Sequence, residues 1–283
     1  MTISNAAKRW VADIRAWNHH RTTEVYFVGY PKTGNTWTRF MLGRYVQLLA
    51  AAGEMPLFDE QDWLGRCVRP PVGPSMHFTH RPLLWEGQTA DDLDEGNVVA
   101  PFRKKKVVLI TRHPLDVLVS HWFQERYQVA NADAMDLREF IDSPVFGIKK
   151  YLRFHGLWRD QLSQVDGFHL LRYEDSKRDA EDSFHGLLEF LNIEVNNDVL
   201  ASAIEYASFD NMKQMEASGN VPRYGSSGLK VFATGDINNE NSYHVRKGKV
   251  GGYRDYLDAA VVRDLQVRIR QELGDWLGYG LEE

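Results

Sequence analysis

The chain has 283 residues, 43% apolar and 26% charged, proportions that exclude global disorder and supply enough apolar side chains for a sizeable core. Thirty-four basic against thirty-nine acidic residues leave a net charge of -5, so the surface as a whole does not attract nucleic acid or anionic lipid, and any bound anion must be held locally. The single cysteine, Cys67, excludes an intrachain disulfide and a zinc site built mainly from cysteines, and it fits a reducing compartment.

At the N-terminus, Lys8, Arg9, Asp13 and Arg15 interrupt any secretory apolar region, and no apolar run anywhere reaches membrane-spanning length. The expectation is a cytoplasmic protein with no membrane span and no nucleic-acid partner. Trp10, Ile14 and Trp17 recur at helical spacing and predict a helix that packs this stripe into the core of its own domain. Short apolar runs bounded by turn or charged residues predict strands at 24–30, 76–79, 107–112 and 168–173. Helices are expected to start near Asn35, Asp116 and Asp179, where a polar or acidic residue suits an N-cap or first turn. The basic run Arg103 to Lys106 is short, has no interleaved aromatics, and reads as a solvated loop.

This alternation predicts a single α/β domain over 1–283, with a central parallel sheet of about five strands and helices on both faces, a three-layer arrangement. In such sheets ligands bind beyond the carboxyl ends of the strands, so the strand-to-helix junctions should converge on one crevice. Residues 216–245 are rich in Gly, Ser and Asn with scattered aromatics and predict a long lid or binding loop within the domain.

The first junction is the most informative. Strand VYFVGY runs into PKTGNT and then a helix, an order that aims backbone N–H groups and a helix dipole at one spot suited to phosphate. Counted from Gly29, the segment has the frame of a P-loop, but Asn35 stands where the lysine belongs and the nearest lysine is Lys32, inside the loop. The strand VVLIT ends in Arg112 and not in an aspartate that could help hold magnesium, which counts against a kinase or nucleoside triphosphatase.

YPKTGNTW resembles the 5'-phosphosulfate loop of the cytosolic sulfotransferase family, whose usual form is YPKSGTTW. The resemblance implies a donor, 3'-phosphoadenosine 5'-phosphosulfate, held by Lys32, Thr33, Gly34, Asn35, Thr36 and Trp37. RHPLDVLVS is similar to the family's 3'-phosphate motif and carries it onto Arg112 and Ser120. RYEDSKRD resembles the segment with the adenine-contacting tyrosine, here Tyr173, and ASFDNMKQ resembles TSFxxMK, which implies that Ser208, Phe209 and Met212 border the adenine. VRKGKVGGYRDYL resembles RKGxxGDWKxxF and puts Arg246, Lys247 and Gly248 on the 3'-phosphate; Gly252 and Tyr253 replace Asp and Trp. These motifs run in family order from Tyr30 to Leu257.

Sulfuryl transfer needs a base near neutral pKa for the acceptor hydroxyl. MHFTHRPLL is similar to KTHLPxxLL and selects His80 over His77, which on an extended strand would face the other way; Phe78 stands where many relatives have a lysine. Lys32 is expected to stabilise the departing phosphate oxygen, and the resemblance implies that Ser120 restrains Lys32 until the acceptor arrives. No metal is expected. The acceptor is expected to be a small, partly apolar alcohol or phenol, with Trp85, Phe123, Tyr224 and Phe232 as candidate walls. A KTVE-like dimer motif is not recognisable after Tyr256, leaving the oligomeric state open. The alternatives are a P-loop kinase or nucleoside triphosphatase, and a nucleotide-binding protein without turnover.

Overall fold

The computed structural model describes residues 5–56, 58, 64, 66–80, 88–128, 135–224, 229–230 and 236–279. The elements in chain order are α1 (Asn5–Thr22), β1 (Val25–Gly29), α2 (Asn35–Leu49), β2 (Met76–Thr79), α3 (Glu95–Val98), β3 (Lys106–Thr111), α4 (Pro114–Tyr127), α5 (Leu137–Asp142) and α6 (Ile148–Gln161). They continue with β4 (Gly167–Arg172), α7 (Tyr173–Arg178), α8 (Ala180–Phe190), α9 (Asn197–Tyr206), α10 (Phe209–Ala217), β5 (Arg223–Tyr224), β6 (Leu229–Lys230) and α11 (Ala259–Leu273).

β1 to β4 form one parallel sheet in the order β2-β1-β3-β4. Its register pairs Phe27 with Phe78 on one side and Val108 on the other, and Leu109 with Leu170. The four strand positions read from the sequence hold; against an expected total of about five, the described residues give this sheet four. Side chains alternate across the strands, and both faces are covered. Tyr26, Val28, Val107 and Leu109 join a cluster with α4, α6 and α11, whereas Val25, Phe27, Val108 and Ile110 join one with α2, α8 and α9. Burial on both faces is why these strands read as continuous apolar runs. The chain leaves β1 for β2 in one direction and places β3 on the other side, so the strand order reverses at β1. That reversal opens the crevice above the carboxyl ends of β1 and β3.

Two expectations need correction. The Trp10, Ile14, Trp17 stripe is not core: Trp10 is 66% and Trp17 62% exposed, and Ile14 is half-buried. Among the described residues, ties of α1 lie at its C-terminal end, where Asn18 Nδ2 donates to Leu64 O, Cys67 N–H donates to Thr22 Oγ1, and His20 Nδ1 pairs with the Tyr26 hydroxyl. Helical spacing marks a stripe without saying what covers it. The segment 216–245 is not devoid of regular structure either, since it starts inside α10, contains the antiparallel β5–β6 pair, and ends in a 3-10 turn at Glu240–Ser242. Among the described residues no helix is long and apolar enough to cross a membrane, and no cluster of His, Cys, Asp and Glu could hold a metal ion.

Candidate active site

A crevice of about 310 Å³ opens where the strand order reverses. Lys32, Arg112, Lys177, Arg246, Lys247 and Lys249 line it, and among the described residues Asp116 is the one lining carboxylate. A chain of net charge -5 therefore concentrates cations at one place.

The loop after β1 is built for an anion. Lys32 has φ +69°, a left-handed conformation that costs a non-glycine residue on the order of 1 kcal/mol and that here turns the loop sharply. Gly34 has φ +112° and caps α2 without any side-chain bond, so the first-turn N–H groups of α2 stay available to a ligand. A Cβ on Gly34 would also lie 3.0 Å from the Tyr173 ring. Thr33 is fully buried and its hydroxyl donates to Tyr30 O at 2.6 Å, so that side chain shapes the loop from inside and does not face the crevice. Burial, with Arg112 and Arg246 nearby, lowers the Lys32 pKa to about 8, against the opposing pull of Glu216 and Glu125.

Arg112, at the end of β3, ties this loop to a second one. Its guanidinium lies 4.5 Å from the Tyr173 ring centroid and donates to Lys32 O at 3.5 Å and Lys249 O at 3.2 Å. Arg246 sits 3.6 Å above the Phe123 ring and donates to the Tyr256 hydroxyl at 2.8 Å. Phe123 is itself buried, as the platform under Arg246, and is not among the residues lining the crevice. A buried carboxylate holds each end of the segment carrying Arg246. Glu216 accepts from the N–H groups of His244 at 2.6 Å and Val245 at 2.8 Å. Asp116 accepts from those of Gly251 at 2.8 Å and Tyr253 at 2.9 Å. Gly248, at φ +57°, lets the segment pass against Phe209, whose ring would lie 2.4 Å from an added Cβ.

The aromatic lining comes from three elements. Trp37 donates its indole N–H to Ala207 O at 2.9 Å, and Tyr173 donates its hydroxyl to Gly248 O at 3.1 Å. Phe209 and Met212 complete it, while Ser208 spends its hydroxyl on Asn211 N as the cap of α10 and is absent from the lining. The carboxylates after β4 are occupied elsewhere: Glu174 accepts from His113 N at 2.7 Å and from the Tyr279 hydroxyl at 2.9 Å. Asp175 pairs with Arg172 and Arg178.

His80 follows β2 and lines the crevice. Its Nδ1 lies 2.8 Å from Gly29 O, and a carbonyl only accepts, so Nδ1 carries the proton and Nε2 keeps its lone pair. The Asn35 amide approaches the same Nδ1 at 3.5 Å. Burial lowers the His80 pKa; the bond to Gly29 opposes this, and Arg39 and Lys32 add to it. Phe78 stacks on Phe27 with centroids 4.1 Å apart and carries the Arg39 guanidinium 4.8 Å from its ring, and neither Phe78 nor Arg39 is among the residues lining the crevice. His77 instead meets His19 and Tyr26 edge to face.

Lys32, Gly34, Asn35, Thr36, Trp37, His80, Arg112, Ser120, Tyr173, Phe209, Met212, Arg246, Lys247 and Gly248 thus share one crevice, and Thr33 and Ser208 support it from behind. Trp85 and Phe232 lie outside the described residues, and Tyr224 is described only as backbone of β5. Sequence reasoning missed His244, Lys177, Lys249 and Gln124, which line the crevice. Lys177 stands in the quoted RYEDSKRD segment, 5.6 Å from the Trp37 ring, and a helical count from Tyr173 could have found it.

The family model "Sulfotransferase domain" matches residues 22–277. The amine sulfotransferase of Oryctolagus cuniculus is 23% identical over 90% of this chain and 82% of its own length. The flavonol 3-sulfotransferase of Flaveria bidentis is 22% identical over 89% and 82%. Cytosolic sulfotransferase 15 of Arabidopsis thaliana is 26% identical over 72% of this chain, a match that spans about half, 53%, of that relative's length. Among solved structures, a mouse sulfotransferase complexed with PAP aligns with a TM-score of 0.60 at 17% identity, covering 94% of this chain and 90% of that one. Retinol dehydratase in complex with androsterone and inactive cofactor PAP also aligns at 0.60, with 20% identity over 94% and 86%. The likeness in architecture and a family match over most of the chain agree: this protein belongs to the sulfotransferase domain family.

Proposed function

We propose that the crevice takes 3'-phosphoadenosine 5'-phosphosulfate as its donor and moves the sulfuryl group to a hydroxyl of a small, partly apolar acceptor, with His80 as base and no metal. The observation that carries this reading is the convergence of two cation groups on one aromatic-lined space: Lys32 with the open helix end of α2, and Arg112 with Arg246 and Lys247. A nucleotide phosphorylated at both 5' and 3' positions needs two anion sites and a flat surface for its base. A triphosphate needs only one anion site.

In the transfer, Nε2 of His80 accepts the acceptor's hydroxyl proton as that oxygen attacks sulfur. The new O–S bond forms in line while the bond from sulfur to the 5'-phosphate oxygen breaks, and the electron pair stays on the phosphate. Lys32 meets the charge developing on that oxygen, and its cationic form is favoured once phosphate is near. Ser120, lining the crevice from α4, is placed by this reading as the restraint on Lys32. Residues 216–245 act as the lid over the acceptor, and the names of cytosolic relatives support a cytosolic location.

Arg246→Ala should weaken binding of 3'-phosphoadenosine 5'-phosphate (PAP) by about 1.5–3 kcal/mol, the range for hydrogen bonds to charged groups. Arg112→Ala should weaken it at least as much, because Arg112 also holds the carbonyls of Lys32 and Lys249. Calorimetric titration measures both.

The deciding experiment is a melting assay. PAP should raise the melting temperature far more than ATP or AMP at equal concentration, because a ligand stabilises the native state according to its affinity for it. Equal shifts from ATP would overturn the donor assignment and favour a kinase. Turnover with labelled donor against a panel of phenols, alcohols and amines then reads the acceptor class.

A further inference from the structure

Two residues before Arg246, His244 turns its imidazole into the crevice, where Nε2 lies 3.0 Å from the Thr36 hydroxyl oxygen. The contact joins residues 208 positions apart. Thr36 is the second residue of α2, in the uncapped first turn that lines the crevice. The His244 backbone is fixed independently, since its N–H donates to the buried Glu216 carboxylate at 2.6 Å. Burial, then Lys32 and His80, lowers the His244 pKa to about 3, so the ring is neutral at ordinary pH.

A neutral imidazole has one N–H and one lone pair, and a hydroxyl has one proton to give. If Thr36 donated to His244, its lone pairs would face the anion and repel it. If His244 donates, the Thr36 proton is free to point at the anion. We propose that His244, protonated at Nε2, donates to Thr36 Oγ1 and thereby aims the Thr36 hydroxyl at the 5'-phosphate end of the donor. His244 is then a positioning residue that acts through Thr36. This assignment rests on the donor reading above.

The test is PAP titration of the wild type, His244→Phe, His244→Gln, Thr36→Val and the His244→Phe, Thr36→Val pair, with melting curves to check that each variant folds. Phenylalanine keeps the ring's bulk and removes the N–H; glutamine restores a donor. His244→Phe and Thr36→Val should each weaken PAP about tenfold, the scale of one hydrogen bond to a charged group, while His244→Gln stays within about threefold of wild type. The double variant should bind no more weakly than Thr36→Val alone. Additive losses, or glutamine binding as poorly as phenylalanine, would overturn the assignment and leave the ring as mere packing; unchanged affinity in His244→Phe would do the same. If His244→Phe does not fold, His244→Ala takes its place in the cycle. Wild-type protein that fails to bind PAP would instead overturn the donor reading itself.

Discussion

His80→Ala is expected to slow sulfuryl transfer by about two to four orders of magnitude while leaving PAP affinity almost unchanged. His80 gives its Nδ1 proton to Gly29 O, which leaves Nε2 as the basic atom and ties the ring to the end of β1. A general base works unprotonated, and burial holds the His80 pKa below the ordinary histidine value of 6.5. The rate should therefore be flat through neutral pH and fall only as pH drops through that lowered pKa, and the acid limb should disappear in the alanine variant. Single-turnover rates across pH, beside calorimetric titration with PAP, measure both halves of the claim. An alanine variant with normal turnover would move the base elsewhere and leave the donor site standing.

Lys32→Ala should cost about two to three orders of magnitude in rate, the scale for removing one donor from a developing oxyanion, and about tenfold in PAP affinity. The free enzyme holds the Lys32 pKa at about 8 because the group is buried beside Arg112 and Arg246. The cation is lost as pH rises through that value, so kcat/KM for the donor should decline above about pH 8. Bound phosphate supplies the missing counter-charge and moves the pKa up again, so kcat should lack this limb over the same range. Lys32 also bears a left-handed backbone, at φ +69°. Lys32→Gly should therefore melt at a higher temperature than Lys32→Ala, although both are catalytically poor. An identical alkaline limb in kcat and kcat/KM would mean that the titrating group is not the one meeting the phosphate.

The parts of this site legible in the sequence are those whose cause is local. A strand, a sharp turn and a helix lie within the contiguous segment 25–49, so the spacing of Lys32, Gly34 and Thr36 already implied an anion cradle. Arg112 and His80 were singled out by resemblance to family motifs, and because each follows a strand end of the parallel sheet, both line the one crevice. Distance along the chain hid the rest. Glu216 and Asp116 act on backbone groups 28 to 137 residues away, and no spacing announces that. Phe123 follows Arg112 on a helix and read as a wall of the acceptor space, but the turn of α4 puts its ring under Arg246. Thr33 sits in the motif, but its hydroxyl bonds backward to Tyr30, a direction that only the folded loop defines.

The segment held by Glu216 and Asp116 has a mechanical consequence. Val245 packs on the cluster that covers one face of the sheet, Tyr253 is buried in the cluster that covers the other, and the two carboxylates come from α10 and α4, which contribute to these same clusters in turn. The chain between them is a strap over the sheet's edge, buckled to each layer by a pair of N–H groups. Neither layer can open far without pulling on the other. An occupant gripping Arg246 on the strap and Lys32 beneath it would add a further tie between the strap and the sheet, and should raise the cost of opening either layer locally.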